Sequence, residues 1–454
     1  MVAEKSLVEE RRNTQRISSV RTLDCVSVTV TAQAPGRRDP EARNARRRTA
    51  AVVLAGFCAF TTMFAPQPLL PLLARSFGVT PAMISLIVTV STLAVAFAAP
   101  LAGVLADRFG RKRVIVPAAF LLAIPTLLAA TSSGFSQILF WRFLQGVFTP
   151  GIFAVTIAYI NEEWESGAGA AIAAYVTGTV LGGFCGRLLS ALVASHFSWR
   201  WAFVVLGCLN LLGALAIRAW LPEGRRFVPS RRTGSVARAM GKHLRNPRLL
   251  AAYAVSFCIM FTQLGTFTYI NFYLSAKPFS MSTSALGFLF LVYLLGAVVT
   301  PRAGKWIDRR GHRFALVTAF LGATVGIALT LIHSVPMIVL GLALCCTGVF
   351  VANSAGSSYV GTAAREDRAA AVGLYVTFYY LGGTAGSAVP GHFWAAGGWS
   401  ACVALIIAVQ LLTIAVAVLY WRPAAKLAGP APMTAKLRMH TRVLVNPSST
   451  MRAA

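Results

Sequence analysis

The chain has 454 residues, of which 56% are hydrophobic and only 12% are charged, and its mean hydropathy is +0.67. A soluble protein of this length carries about twice that charged fraction, so the composition excludes an ordinary soluble protein. The formal net charge of +28 would suit a nucleic-acid-binding surface. The basic residues are instead concentrated in the connections between apolar segments, and nucleic-acid binding is therefore not predicted.

The apolar residues cluster into segments of about 20, which is the length of helix needed to cross a bilayer. Lipid cannot satisfy backbone polar groups, so segments of this length must be helical. The sequence predicts an all-α membrane protein with twelve transmembrane helices. Spans 1 to 12 are predicted at 50–74, 82–105, 114–131, 135–160, 168–192, 199–221, 249–276, 284–303, 314–333, 336–360, 369–393 and 399–421.

The polar segments divide the chain into two parts of six spans each. Residues 1–48 are predicted to be a disordered basic tail. A basic, proline-containing linker at 222–248 separates a first half, 49–221, from a second half, 249–421. The remaining residues, 422–454, are predicted to form a second tail.

The basic residues also predict the orientation of the chain. Nearly all of the loop lysines and arginines lie on the side of the two tails, and the other side carries only Arg75, Arg200 and Lys277. Such a bias places the basic side in the cytoplasm. We therefore expect an inner-membrane protein with both termini in the cytoplasm.

A charged turn follows span 2 and recurs after span 8. The first copy contains Gly103, Asp107, Arg108, Gly110 and Arg111. The second copy contains Gly304, Asp308, Arg309 and Gly311 at the same spacing, with His312 in place of Arg111. A glycine-rich stretch in span 5 is likewise repeated in span 11. Duplication with equal orientation is typical of secondary transporters built from parallel repeats.

These motifs resemble those of the major facilitator superfamily over residues 49–421. The repeated turn resembles motif A of that family, and Arg142-Phe-Leu-Gln145-Gly146 in span 4 resembles motif B. The span 5 glycines resemble motif C of the antiporters, although Gly183 and Arg187 depart from its usual Pro and Gly. Within the family the chain is most similar to twelve-span drug/proton antiporters of the YnfM-like and sugar-efflux-like kinds. The resemblance implies two pseudo-symmetric six-helix halves.

The two turns are the predicted conformational switch. Resemblance implies that Asp107, and less strongly Asp308, latches the halves together when the protein faces outward, while Gly103 lets another helix approach. The alternative is that the basic residues of the turn only fix the topology. Small faces are predicted to form a sliding interface between the halves or, alternatively, a static packing surface. The glycines of those faces are Gly178, Gly182, Gly183, Gly186, Gly382 and Gly386.

Two arginines, Arg142 and Arg187, lie inside spans, although no carboxylate lies in the same part of the membrane. A charge there normally marks a cavity or a partner. They are predicted either to attract an anionic or hydroxyl-rich substrate or to bond backbone carbonyls, and Arg187 has the further option of extending to the membrane surface. The predicted substrate cavity comprises Gln67, Arg142, Arg187, Gln263, Tyr269, Asn271 and Asn353.

The family resemblance is the only reason to expect proton coupling, because no carboxylate lies within a span to carry the proton. The candidate coupling residues are Arg142, Gln145, Glu162 and Glu163. No metal, cofactor or enzymatic motif is predicted. The sequence predicts a transporter of a small molecule, driven by protons, in the lipid bilayer and as a monomer. Efflux is preferred to import of a carboxylate or other metabolite, and a non-transporting receptor or scaffold is a further alternative.

Overall fold

The computed structural model describes residues 40–164, 167–224, 233–364 and 366–421. Every regular element within these ranges is a helix, and ten helical segments are long and apolar enough to cross a membrane. Each of the twelve predicted spans is helical. Two predicted spans are not among these ten segments. Span 8 is split by the short 3-10 helix Leu289–Leu291, and span 11 is less apolar because it is rich in Gly, Thr and Tyr. The predicted all-α membrane fold is confirmed.

The helices follow the predicted order. In the first half they are Pro40–Met63 and Leu70–Phe77 (span 1), Pro81–Ile84 and Leu86–Phe109 (span 2), Arg111–Ala129 (span 3), Phe135–Glu163 (span 4), Ala168–His196 (span 5) and Trp199–Trp220 (span 6). The linker contains the helix Thr233–Leu244. In the second half they are Pro247–Ser275 (span 7), Thr283–Phe288 and Val292–Arg310 (span 8), His312–Leu329 (span 9), Val335–Ala363 (span 10), Arg368–Ala388 (span 11) and Pro390–Tyr420, which completes span 11 and forms span 12. The last helix is interrupted at Gly397 and Gly398, where the chain turns.

The first helix begins before the predicted span. Because Pro40–Met63 is helical, the expectation of a disordered segment extending to residue 48 is wrong for residues 40–48. Proline at the first helical position is favourable, since its missing N–H has no partner there in any case. The rest of that tail and the predicted tail 422–454 lie outside the described residues.

The two ends of the helical bundle differ in their turns, and we name them accordingly. The motif end carries the repeated turns, in which Gly110 and Gly311 have φ values of +97° and +87°. Residues with a side chain rarely adopt such angles, so glycine is required at both positions. The far end carries the connections that follow Phe77 and Ser275.

The halves meet toward the far end. Span 2 faces span 11 there, and the Thr89 hydroxyl lies 2.9 Å from that of Ser387, while Thr384 donates to Thr92 at 3.1 Å. Span 5 faces span 8, where Gly287 packs against Ala191. A ring contact between the halves joins Phe153 of span 4 and Tyr380 of span 11, with centroids 5.7 Å apart.

Candidate substrate site between the halves

Arg142 in span 4 is completely buried and is bonded within the first half. Its guanidinium donates to the carbonyls of Thr62 (3.0 Å), Met63 and Ile87 (3.2 Å), and to the side-chain oxygen of Gln145. Arg142 is therefore held by backbone carbonyls and by its motif B neighbour.

The break in span 1 explains why the carbonyls of Thr62 and Met63 need a donor from another helix. The helix ends at Met63, and Pro66 has no N–H to donate to the Thr62 carbonyl. The amide of Gln67 bonds to Phe64 instead of Met63. Arg142 supplies the missing donors, and its positive charge also complements the negative end of the helix dipole. Of the two arrangements predicted for Arg142, the structure shows the bonding to carbonyls.

Arg187 in span 5 has different surroundings, although it is only 2% exposed. It donates through Nε to the Gln67 side chain and through Nη1 to the Gly183 carbonyl, both at 2.7 Å. Three aromatic rings lie around the guanidinium carbon, at centroid distances of 5.0 Å for Phe64, 4.9 Å for Phe290 and 4.7 Å for Tyr293. We call Arg187 and these three rings the arginine cage.

The arginine cage joins the two halves. Arg187 and Phe64 belong to the first half, whereas Phe290 and Tyr293 belong to span 8 of the second. Gln67 extends the same connection, because its amide nitrogen donates to the Thr268 hydroxyl of span 7 at 3.4 Å. The position of Arg187 therefore depends on both halves.

Four other predicted cavity residues lie on spans 7 and 10. Gln263 is buried, and Asn271 donates to the carbonyl of Phe267 in its own helix. Tyr269 donates to the Ser387 carbonyl at 3.0 Å and lies 3.1 Å from the Ser85 hydroxyl, so it fastens the halves. Asn353, which is half-buried, accepts from the Tyr375 hydroxyl at 3.1 Å. Tyr269 and Asn353 are thus already engaged in this conformation.

The first motif turn contains a cluster of three charges. Arg111 lies 2.6 Å from a carboxylate oxygen of Asp107 and donates through Nε to Glu162 at 3.0 Å. All three residues belong to the first half, so the recorded pairs of Asp107 do not latch the two halves in this conformation. The main chain of Glu163 accepts from Arg48 at 3.3 Å in the same half.

The second motif turn is paired differently. His312, in place of Arg111, lies 3.0 Å from the Ser358 hydroxyl. Asp308 and Arg309, like Arg108 of the first turn, are exposed. No described atom lies within 4 Å of the Cβ position of Gly103 or Gly304. The close helix approach expected at Gly103 is therefore absent from this conformation.

The glycine faces pack inside each half, which corrects the predicted sliding interface between halves. A Cβ at Gly178, Gly182 or Gly186 would overlap carbonyl oxygens of span 1, and one at Gly382 or Gly386 would overlap carbonyl oxygens of span 7. Gly183 instead faces the guanidinium of Arg187. The alternative of static packing is the one observed, because small residues let two helix backbones touch.

Sequence reasoning missed the rings of the arginine cage and the hydroxyl pairs between the halves. The rings come from spans 1 and 8, which no local spacing relates to Arg187. The hydroxyls had a signal, since Thr89 and Thr92 on span 2, and Thr384 and Ser387 on span 11, are each three residues apart on one helix face.

The family model of the Major Facilitator Superfamily matches residues 52–345 and 276–450. Among similar proteins, the inner membrane transport protein YnfM of Escherichia coli is 34% identical over 371 residues, covering 81% of this chain and 89% of YnfM. The MFS-type transporter YybF of Bacillus subtilis is 29% identical and covers 81% of this chain and 92% of its own.

Solved structures show the same fold at low identity. The nucleoside transporter NupG, as its D323A mutant, has a TM-score of 0.67 at 15% identity and covers 82% of this chain and 100% of its own. The human organic anion transporter MFSD10 has a TM-score of 0.64 at 20% identity and covers 84% and 100%. From the family model and the relatives, this chain belongs to the Major Facilitator Superfamily and is a membrane transporter of that type.

Proposed function

We propose that the protein exports a small molecule across the inner membrane by alternating access, in exchange for protons. The observation that carries alternating access is the contrast between two kinds of helix contact. Each half is joined internally by glycines packed directly on carbonyls, whereas the halves meet through hydroxyl pairs such as Thr89–Ser387. Hydroxyl pairs are individually weak and exchange readily with water, so they suit an interface that must open.

The positive-inside bias supports a cytoplasmic motif end in this proposal. The contacts between halves at the far end then correspond to a conformation closed to the outside. Opening the far end requires the hydroxyl pairs and the arginine cage to separate. Closing the motif end brings each of the two repeated turns toward the opposite half.

The cluster around Arg111 is the proposed place of proton coupling. Asp107 and Glu162 share one guanidinium, so protonation of either acid weakens its hold on Arg111. Arg142 and Gln145 position span 4, which carries Glu162 at its motif end. The transporter acts as a monomer in this proposal.

Transport by reconstituted protein under an imposed pH gradient tests the function. We expect substrate to move from the motif end to the far end, which corresponds to export from a cell. This flux should accelerate when the proton concentration is higher on the side of the far end. Asp107→Asn should abolish this acceleration, and Asp308→Asn, at the exposed second copy, is the matched variant with the smaller effect. Flux that is equally fast without a pH gradient would exclude proton coupling, and the absence of any flux would exclude transport.

A further inference from the structure

We infer that the arginine cage is the binding site for an organic anion with an aromatic-sized apolar body, which is the substrate class of this transporter. The inference rests on the proposed transport function and specifies its substrate. It assigns the specificity to Arg187 and excludes Arg142 from substrate contact.

Arg187 has no acidic partner to balance its charge among the described residues. The chain has 14 acidic residues, and those after the first tail are Asp107, Glu162, Glu163, Glu165, Glu223, Asp308, Glu366 and Asp367. The seven of these that the structure describes, all except Glu165, lie at the motif end or in its connections, so no described carboxylate neutralises Arg187. Removing a cation from water without a counter-ion is costly. A substrate anion would supply the missing charge.

Arg187 also has unused hydrogen-bonding capacity. A guanidinium has five N–H donors, and Arg187 uses one on Gln67 and one on Gly183. Its other terminal nitrogen, Nη2, has no hydrogen-bond partner among the described residues. Arg142, by contrast, has acceptors recorded for Nε and for both terminal nitrogens. A carboxylate accepting from the free edge of Arg187 would form the charge-assisted bonds that such a fork favours.

An apolar wall of aromatic rings lies next to the charge of Arg187. Phe290 and Tyr293 stack near Arg187, and the ring of Tyr293 lies 5.9 Å from that of Phe350 on span 10. Phe153 and Tyr380, which meet across the halves, belong to the same hydrophobic cluster as Phe290 and Tyr293. An apolar body attached to the anion can pack along these rings while its charged group faces Arg187.

The same geometry links binding to switching. Separation of the halves at the far end would remove Phe290 and Tyr293 from Arg187 and leave its charge without these partners. A bound anion moves with Arg187 and keeps the charge compensated. Export of an anion is in addition favoured by the inside-negative membrane potential.

Three compounds of similar size test the inference. At pH 7 benzoate is anionic, benzamide is neutral and benzylamine is cationic. Binding to the purified full-length protein is measured by thermal shift titration and flux by counterflow in proteoliposomes. We expect benzoate to bind at least about tenfold more tightly than benzamide, since a charge-assisted bond contributes at least that factor. Arg187→Gln should remove this preference, and Arg187→Lys should retain part of it.

Arg200→Gln is the matched control, because Arg200 also stacks on a ring, Trp199, and donates to a carbonyl, that of Ser132, outside the cage. It should leave the preference for benzoate unchanged. Equal binding of benzoate and benzamide, or a preference that survives Arg187→Gln in folded protein, overturns the inference while leaving transport of other compounds possible. Selective binding of benzoate without counterflow supports the site and contradicts the transport function.

Discussion

Arg142 and Arg187 are both buried in the first half, but their surroundings give the two charges different capacities. Arg142 is fixed by four acceptors from one half, two of which are carbonyls left without a donor by the break in span 1. Arg187 has fewer acceptors, is surrounded by rings from both halves, and lies where the halves separate. A buried charge whose donors are satisfied stabilises the fold, whereas one with free donors at a moving interface is available to a ligand.

The strongest test of this comparison is the loss of Arg142. Arg142→Gln would remove this donor from the buried carbonyls of Thr62 and Met63, and each such loss costs about 1–3 kcal/mol, whereas the Ile87 carbonyl keeps its bond from the Ser91 hydroxyl. We expect a loss of roughly 3 kcal/mol or more in the free energy of unfolding, and little monodisperse protein. Size-exclusion yield and thermal unfolding in detergent measure this. Arg218→Gln, at an exposed position of span 6, is the control, and equal stability of the two variants would refute the structural role of Arg142.

Arg187→Gln should have the opposite profile. Its stability should stay close to that of the wild type, because it removes an uncompensated charge together with two hydrogen bonds. Its affinity for benzoate should fall by about 10–100-fold, as expected for the loss of a hydrogen bond to a charged group. Parallel unfolding and binding titrations separate the two effects. A variant that unfolds as readily as Arg142→Gln would make the two arginines equivalent.

The packing of span 5 on span 1 holds Arg187 near Gln67, and Gly182 tests that placement. The methyl group of Gly182→Ala would overlap the carbonyl of Phe57, which should cost about 1–3 kcal/mol of stability. Thermal unfolding measures this. Gly169→Ala, in the same helix with no atom within 4 Å of its Cβ position, should be nearly neutral. Equal effects of the two substitutions would argue against tight packing at Gly182.

The hydroxyl pairs at the far end should contribute less. Thr89→Val removes the bond to Ser387, which is worth about 0.5–1.5 kcal/mol, and should shift the equilibrium between conformations by about two- to tenfold toward far-end opening. Labelling of a single cysteine placed at Ala82, which packs on Gly391 across the halves, would report this opening. Unchanged labelling rates would show that the pair does not hold the halves together.

The smallest effect is expected at the linker helix Thr233–Leu244. Lys242 donates to Glu366 at 2.6 Å, and this bond lowers the pKa of Glu366 and raises the pKa of Lys242. The pair therefore holds the linker at neutral pH, and its contribution is lost when the pH falls through the lowered pKa of Glu366. Glu366→Gln should slightly accelerate hydrogen exchange of the linker amides at pH 7, with little further change in acid. A linker that exchanges identically in both proteins would contradict this attachment.

Much of the fold followed from local chemistry. The length of the apolar segments predicted twelve helices, and each of the twelve predicted spans is helical. The glycine spacing predicted close helix packing but not its partner. A face of small residues indicates that another helix packs closely there. Only the tertiary arrangement shows that the helix packed on span 5 is span 1 of the same half.

The candidate site was predictable only in part. Arg187 was identifiable because it is a charge in an apolar span without an acid nearby, and Gln67 because it is a polar residue within span 1. The rings of Phe64, Phe290 and Tyr293 were not, since aromatic residues are common in every span and nothing in their spacing relates span 8 to span 5. The same limit applied to Arg142, whose carbonyl partners carry no sequence signature.

A structure of the full-length protein bound to 4-bromobenzoate, with the bromine located by its anomalous scattering, tests most directly that Arg187 and not Arg142 binds the anion. We predict a carboxylate that accepts from Nη2 of Arg187 and a brominated ring beside Tyr293 and Phe350, with the bonds of Arg142 unchanged. A carboxylate bound to Arg142, or located away from both arginines while Arg187 retains only Gln67 and Gly183, would contradict the assignment.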